Sequence, residues 1–506
     1  MNKRSGTAAA CLAIASMVSL LTSFAPQAVL ADGTRTKVIA KAGTEVASDA
    51  SGTVQGITTS PVSATVDLAP TQAPDPLPGQ VGPASPTPPA VPESAPPQPN
   101  GPPNDFPAQN ESGSGNNFAP SDLGLAVSSS YIVEVVNSTI SVYTRSTSPT
   151  LLGHFTLNSL AAVSNGGSCI DPTVTYWSWD ARFAFGCETI NGTGTDDVVV
   201  VSKTSSPIGQ WCAFPISPSQ FLDQQSFTVS ADKIVEGGQG SSGYQWWSFD
   251  KAPMLTCGFA TYQHFTSTHG PYRAALHITN EFDAKFVSVS GSHAWLSDFA
   301  GAPGSTTLTE TQIGSVSFAV FPDVTVPGGK LGGGDIDNRP LVAIQEQETM
   351  DSHYVLVFVT HIKVGSNIAI AIYRVDFTAS GNVISSHWND AYTGFDLTMP
   401  GITLDAYGHV FVSYSFSGPS NTPEAVEDAY PPTGSTRYFS TVIFGATAGT
   451  TSCNGAMCDE RWGDYQAGAP DPTNSTYVWM ASQYQRASGE YGWGTVIAQS
   501  DDTHVH

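Results

Sequence analysis

"PGITLDAYGHVFVSYSF", residues 400 to 416, reads as an apolar strand, a tight turn centred on Asp405 and a second apolar strand. Branched and aromatic side chains suit a pleated, half-buried surface, while Asp and Gly supply the turn. The same design returns in "PTVTYWSWDARFAFGC" (172–187), "QSFTVSADKIVEGG" (225–238), "AALHITNEFDAKFVSVS" (274–290), "RPLVAIQEQETMDSHYVLVFVTH" (339–361) and "AGAPDPTNSTYVWMASQY" (467–484). Their turn residues, Asp180, Asp232, Asp283, Asp351, Asp405 and Asp471, are separated by 52, 51, 68, 54 and 66 residues. An earlier unit, "LGLAVSSSYIVEVVNSTISVY" (123–143), carries Ser in place of Asp.

Each unit leaves room for two further strands, and "DDVVVVSKT", "YQWWSFDK", "NIAIAIYRVDF", "RYFSTVIFG" and "YGWGTVIAQS" are suitable. One four-stranded sheet cannot cover its own two faces, whereas a closed ring packs every sheet between two others and leaves no long edge open. The pattern therefore predicts an all-β chain folded as a single β-propeller of seven blades, six and eight being the alternatives. Sandwich domains in series would want linkers between units and give no reason for seven similar hairpins.

Outside the repeats the chain changes character. Lys3 and Arg4 precede an apolar run from about Ala8 to Leu21, which reads as a signal peptide over residues 1–31 of a secreted, extracellular or cell-surface protein, the periplasm being open as well. Residues 32–68 are small and polar, too few to build a core, and are expected to form a disordered leader. Residues 69–118, with "APDPLPGQVGPASPTPPAVPESAPPQPNGPP", read as a stiff Pro-rich linker, leaving 119–506 for the propeller. No segment after the leader is apolar enough to suggest membrane insertion.

Acidic residues number 43 against 19 basic ones, the formal net charge is −24, and only 12% of residues are charged. Such a surface repels nucleic acid, and its carboxylates lose most of their charge near roughly pH 3 to 4. An acidic habitat and an ordinary acidic secreted protein are both compatible with this. Six cysteines remain after Cys11 leaves with the signal peptide, an even set that suits disulfides. Cys453 and Cys458, which enclose only "NGAM", are the expected local bridge, and the pairing of Cys169, Cys187, Cys212 and Cys257 stays open.

From about residue 120 to 500 the chain resembles a broad group of secreted bacterial β-propellers described as sialidase-like or as carrying Asp-box-type repeats. "DPTVTYWSWDARF", "VVSKTSSPIGQWCAF", "SFTVSADKIV", "DNRPLVAI" and above all "RWGDYQAGAPDP" carry the resemblance, the last looking like the Arg-Trp-Gly-Asp-Tyr signature of a final blade. A sialidase site would need three arginines to clamp a carboxylate, a Tyr–Glu pair and an acid. Arg273, Arg339 and Arg461 stand at or just before innermost strands, but the Arg-Ile-Pro motif and the Ser-x-Asp-x-Gly-x-Thr-Trp box are missing. The resemblance therefore implies a fold more than a reaction.

Two function classes follow. The first is a surface or glycan-binding protein in which Arg273, Arg339, Arg461, Trp462 and Tyr465 meet the ligand, with scattered tryptophans as stacking platforms where exposed. The second is an extracellular hydrolase, sialidase-like or otherwise acid-active, with Asp337 and Asp464 as axial carboxylates. Against both stands the reading in which Asp337 and Asp464 pair with Arg339 and Arg461 to pin neighbouring sheets, while Trp462 and Tyr465 pack between them. Whether the chain is an enzyme stays open, as does its oligomeric state. No phosphate loop, nucleophile elbow or metal-binding helix motif is found, and the histidines form no ligand set, so no cofactor and no metal are expected.

Overall fold

A computed structural model describes residues 43–62, 106–110, 121–163, 167–191, 194–218, 222–277, 279–319, 321, 323–327, 329–332, 340, 343–347, 354–378, 381–432, 439–444, 462–485 and 493–501. Asp337, Arg339, Asp351, Arg461, Cys453, Cys458 and the segments 1–42 and 63–105 lie outside them. The fold is an all-β propeller. Beside a separate two-stranded hairpin of Asp323–Val326 with Gly329–Gly332, most of its described strands form four-stranded antiparallel meanders, numbered here as sheets I to VII in chain order. Their innermost strands are Leu123–Val127, Ser168–Trp177, Asp223–Val229, Tyr272–His277, Ala343–Gln347, Asp396–Leu404 and Ala467–Pro470. Each packs against the next, and the last returns to the first. Sheets IV and V are joined directly, by parallel pairing of Ala275 with Ala343 and His277 with Gln345.

The repeated hairpins are the first and second strands of these sheets, as the pattern predicts. Apolar cores lie between neighbouring sheets: Val135, Val174, Phe185 and Trp211 between I and II, and Val357, Ile372, Leu397 and Val412 between V and VI. Alternation along each strand sends one set of side chains to either neighbour, so both faces of every sheet are covered. Where innermost strands come closest, Gly401 leaves no room for a side chain, since a Cβ there would stand 2.7 Å from the Ala467 nitrogen.

The structure corrects the expectation of a disordered leader and of a linker lasting to residue 118. Thr44–Val46 pairs with the outer strand of sheet IV, Ala50–Gln55 with that of III and Ile57–Thr59 with that of II. The leader thus runs along the rim against the chain direction of the propeller. Phe106–Asn110 then supplies the fourth strand of sheet VII, beside Trp493–Asp501. A segment too small to build a core can still be ordered if a ready sheet edge offers its backbone hydrogen bonds. Sheet VII therefore combines both ends of the propeller, which closes the ring.

Two disulfides are present among the described residues. Cys169–Cys187 links the first two strands of sheet II, and Cys212–Cys257 ties the outer strand of II to the chain just before the outer strand of III. Both suit an oxidising compartment. No described helix is long and apolar enough to cross a membrane.

Candidate functional site

The turn aspartates divide by role. Asp405 accepts the Tyr407 and His409 amides, each at 2.9 Å, and Asp471 accepts those of Thr473 at 2.8 Å and Asn474 at 3.0 Å, both closing a turn with the side chain. Asp180 instead meets Lys251, which opens the short helix Lys251–Met254 after the third strand of sheet III, at 2.7 Å. Such repeated roles are structural. A site has to be sought where the repeat is broken.

Innermost strands are bulged near their starts. Left-handed backbone occurs at Asp122, Asp171, Gln224 and Met399, with φ of 43°, 51°, 62° and 52°. In sheets II, III and VI the register shifts there, so that two residues oppose one on the second strand. A bulge bends the strand and re-aims side chains, and here it turns them at one end of the propeller axis.

At the junction of sheets II and III this brings three acids together. Asp171, Asp223 and Glu188, the last from the second strand of sheet II, each place a carboxylate oxygen within 4.8 Å of the others. Glu188 is 2% exposed, and its Oε2 has no hydrogen-bond partner among the described residues. Burial pushes Glu188 up to about 10, with Asp171, Asp223 and Asp197 adding to the effect and Arg273 opposing it.

Beside the acids a small pocket of about 50 Å³ has Leu123, Val174, Phe227, Arg273, Tyr465 and Gln466 in its wall. Thr173 and Ser226 also line it and follow Asp171 and Asp223 along the same strands, so the pocket and the acids share one end of the axis. The Arg273 guanidinium lies 4.7 Å from the centroid of the Tyr465 ring and donates to the Gln225 carbonyl at 3.3 Å. The Tyr465 hydroxyl donates to the Pro172 carbonyl at 3.2 Å. Burial raises the Tyr465 phenol well above its ordinary range, and Asp122, Asp171 and Asp464 add to this while Arg273 opposes it.

Of the residues expected from sequence, Arg273 and Tyr465 therefore meet at this end, and the charge of Asp464 is felt there. Trp462 is buried in an apolar cluster with Leu123, Val136, Met399 and Trp493. Asp337, Arg339 and Arg461 fall outside the described residues. Trp177, Trp211, Trp246, Trp247, Trp388, Trp462, Trp479 and Trp493 are buried, because the gaps between sheets take the largest apolar side chains, while Trp179 and Trp295 are half-buried. Asp171, Glu188 and Asp223 were not singled out by sequence. Their one signal was an acid inside "ARFAFGCETI", where an apolar strand leaves Glu188 no obvious exit to solvent.

No protein-family model matches the chain, and no curated protein matches it. Among solved structures it is similar to an exo-β-1,3-galactanase from Clostridium thermocellum, at 11% identity over 64% of this chain and 78% of that one, with a TM-score of 0.34. It is also similar to the α-L-arabinofuranosidase Arb93A from Fusarium graminearum, at 8% identity over 80% and 99% of the two chains and a TM-score of 0.40. The Dos1 propeller matches at 11% identity over 67% and 69%, with a TM-score of 0.33. At these identities the likeness concerns the fold alone.

Proposed function

We propose that the protein is a secreted glycan-binding propeller that takes a neutral saccharide at the axial end of sheets I, II, III, IV and VII. The observation that carries this is the convergence of Asp171, Glu188 and Asp223 beside a pocket walled by Arg273 on Tyr465. Carboxylate, guanidinium and amide groups around a partly apolar wall suit a ligand with many hydroxyls and apolar ring faces. A chain of formal net charge −24 disfavours polyanions, so the ligand is uncharged. The disulfides agree with an extracellular setting.

Affinity electrophoresis through gels containing neutral polysaccharides tests the proposal. Wild type is expected to be retarded on at least one of them, and Asp223→Asn to lose about tenfold in affinity, the equivalent of one charged hydrogen bond at ~1.4 kcal/mol. Free migration of wild type on every polysaccharide, or equal retardation of the variant, would overturn it. A second reading, hydrolysis, is favoured by one feature. Glu188 is held neutral beside two other carboxylates, the environment in which an acid can be kept ready to protonate a leaving group. Reducing sugar released by wild type in the same gels would select this reading.

A further inference from the structure

At three junctions of the ring, a polar side chain on the second strand of one sheet is matched to the start of the next. The Met399 amide of sheet VI donates to His361 Nε2 of sheet V at 3.1 Å. The Gln466 amide of sheet VII donates to Ser415 Oγ of sheet VI at 2.8 Å. The Ser121 hydroxyl, ahead of sheet I, donates to Gln483 Oε1 of sheet VII. Each contact joins a donor to an acceptor.

The junction of sheets II and III departs from this rule. Its second-strand residue is Glu188, and what it faces on the next innermost strand is Asp223, with Asp171 from its own sheet as a third carboxylate. No donor answers Glu188 Oε2, although the residue is almost wholly buried. Three crowded carboxylates repel one another, and a buried one without a partner forfeits its hydration. The bulges at Asp171 and at Asp223 to Ser226 turn these side chains toward the same place, when a straight strand would have sent them elsewhere.

The geometry points to a divalent-cation site of the calcium type at this junction, held by Asp171, Glu188 and Asp223. Calcium takes oxygen ligands at about 2.3 to 2.6 Å, so two ligands on opposite sides stand up to about 5 Å apart, which accommodates the 4.8 Å limit found here. The ligand set is all oxygen, without His or Cys, which favours a hard cation over zinc or copper. A divalent cation is the counter-charge that a cluster of three carboxylates recruits. The inference concerns the same end of the axis as the saccharide but does not depend on saccharide binding.

The test uses the full chain after chelator treatment and dialysis, with no saccharide present, and reads thermal unfolding against added calcium chloride, with terbium(III) luminescence as a direct probe of occupancy. Calcium is expected to raise the Tm of wild type by several degrees, excess chelator to reverse the rise, and terbium to bind with calcium-competable emission. Glu188→Gln should lose the calcium-dependent rise, because an amide replaces a carboxylate ligand while the shape is kept. If that variant does not fold, Asp223→Asn, at a half-buried position, gives the same comparison. A wild-type Tm indifferent to calcium together with absent terbium emission would overturn the proposal, as would an equal calcium response in the folded variant.

Discussion

Lowering the pH from 8 to 4.5 in the presence of chelator is expected to stabilise the folded chain by on the order of 10 kcal/mol, seen as a Tm that climbs on acidification. Burial pushes Glu134 and Glu424 up to about 7, and Glu236 and Glu427 up to about 8. An unfolded glutamate releases its proton near 4.5. Between 4.5 and 7 or 8 the folded chain therefore holds more protons than the unfolded one, and stability falls as pH rises through that window. Below 4.5 both states are protonated and the full contribution is present.

His277 acts in the opposite sense. Burial, with Lys285, Lys233 and Lys251 nearby, lowers it to about 3, so its contribution is complete above 6.5 and is lost as pH falls toward 3. Asp471 also opposes, at lower pH: burial would raise its carboxyl, but hydrogen bonds from Arg145, Trp479 and the Thr473 amide hold it below its ordinary value, and that contribution disappears on acidification through the folded pKa. Glu188, pushed up to about 10, adds to the other glutamates, and five raised glutamates against one depressed histidine give a net gain down to about pH 4.5, then a decline. A protein suited to an acidic habitat would behave in this way. A Tm that is highest at pH 8 would contradict the expectation.

Asp471→Ala is expected to cost about 3 to 5 kcal/mol, read from denaturant unfolding. The Asp471 carboxylate accepts from Trp479 Nε1 at 2.9 Å, Gln499 Nε2 at 3.2 Å and the Arg145 guanidinium of sheet I, besides closing its own turn. Its removal takes the acceptor from the buried Trp479 indole and one partner from Gln499, and unpins sheet VII from sheet I, where the ring closes. Asp471→Asn keeps the turn and should cost less. Arg145→Ala combined with Asp471→Ala should cost less than the two single changes summed, because they share one contact. A loss below ~1 kcal/mol for Asp471→Ala would show that the ring closes without this pin.

The hairpin repeat was legible because strand alternation and an Asp-centred turn are local properties, and Asp405 and Asp471 do close turns with their side chains. The rim strands were not. "ASGTVQ" at residues 50–55 offers one larger apolar side chain, Val54, and it is ordered by backbone bonds to the outer strand of sheet III, which composition does not record. The pairing of Cys169 with Cys187 depends on strand register, which spacing alone left open.

The site divides in the same way. Arg273 stood out as a charge at the start of an apolar strand, and Tyr465 lay in a conspicuous aromatic cluster. Asp171, Glu188 and Asp223 come from three strands in two sheets, and what unites them is a pair of bulges with left-handed backbone at Asp171 and Gln224. Neither residue is a glycine that would have announced it. Most of the tryptophans, offered as stacking platforms only where exposed, are core, since an aromatic in a strand carries no mark of which face it will occupy.

Hydrogen–deuterium exchange with and without the saccharide that retards the protein most in the gel tests the central claim most directly. Slowed exchange in the innermost strands Ser168–Trp177, Asp223–Val229 and Tyr272–His277 and in residues 462–468, with little change in the outer strands, is the result expected of a ligand seated at the axial end. Protection confined to the outer strands or to residues 43–62 would place the ligand on the rim and contradict the account.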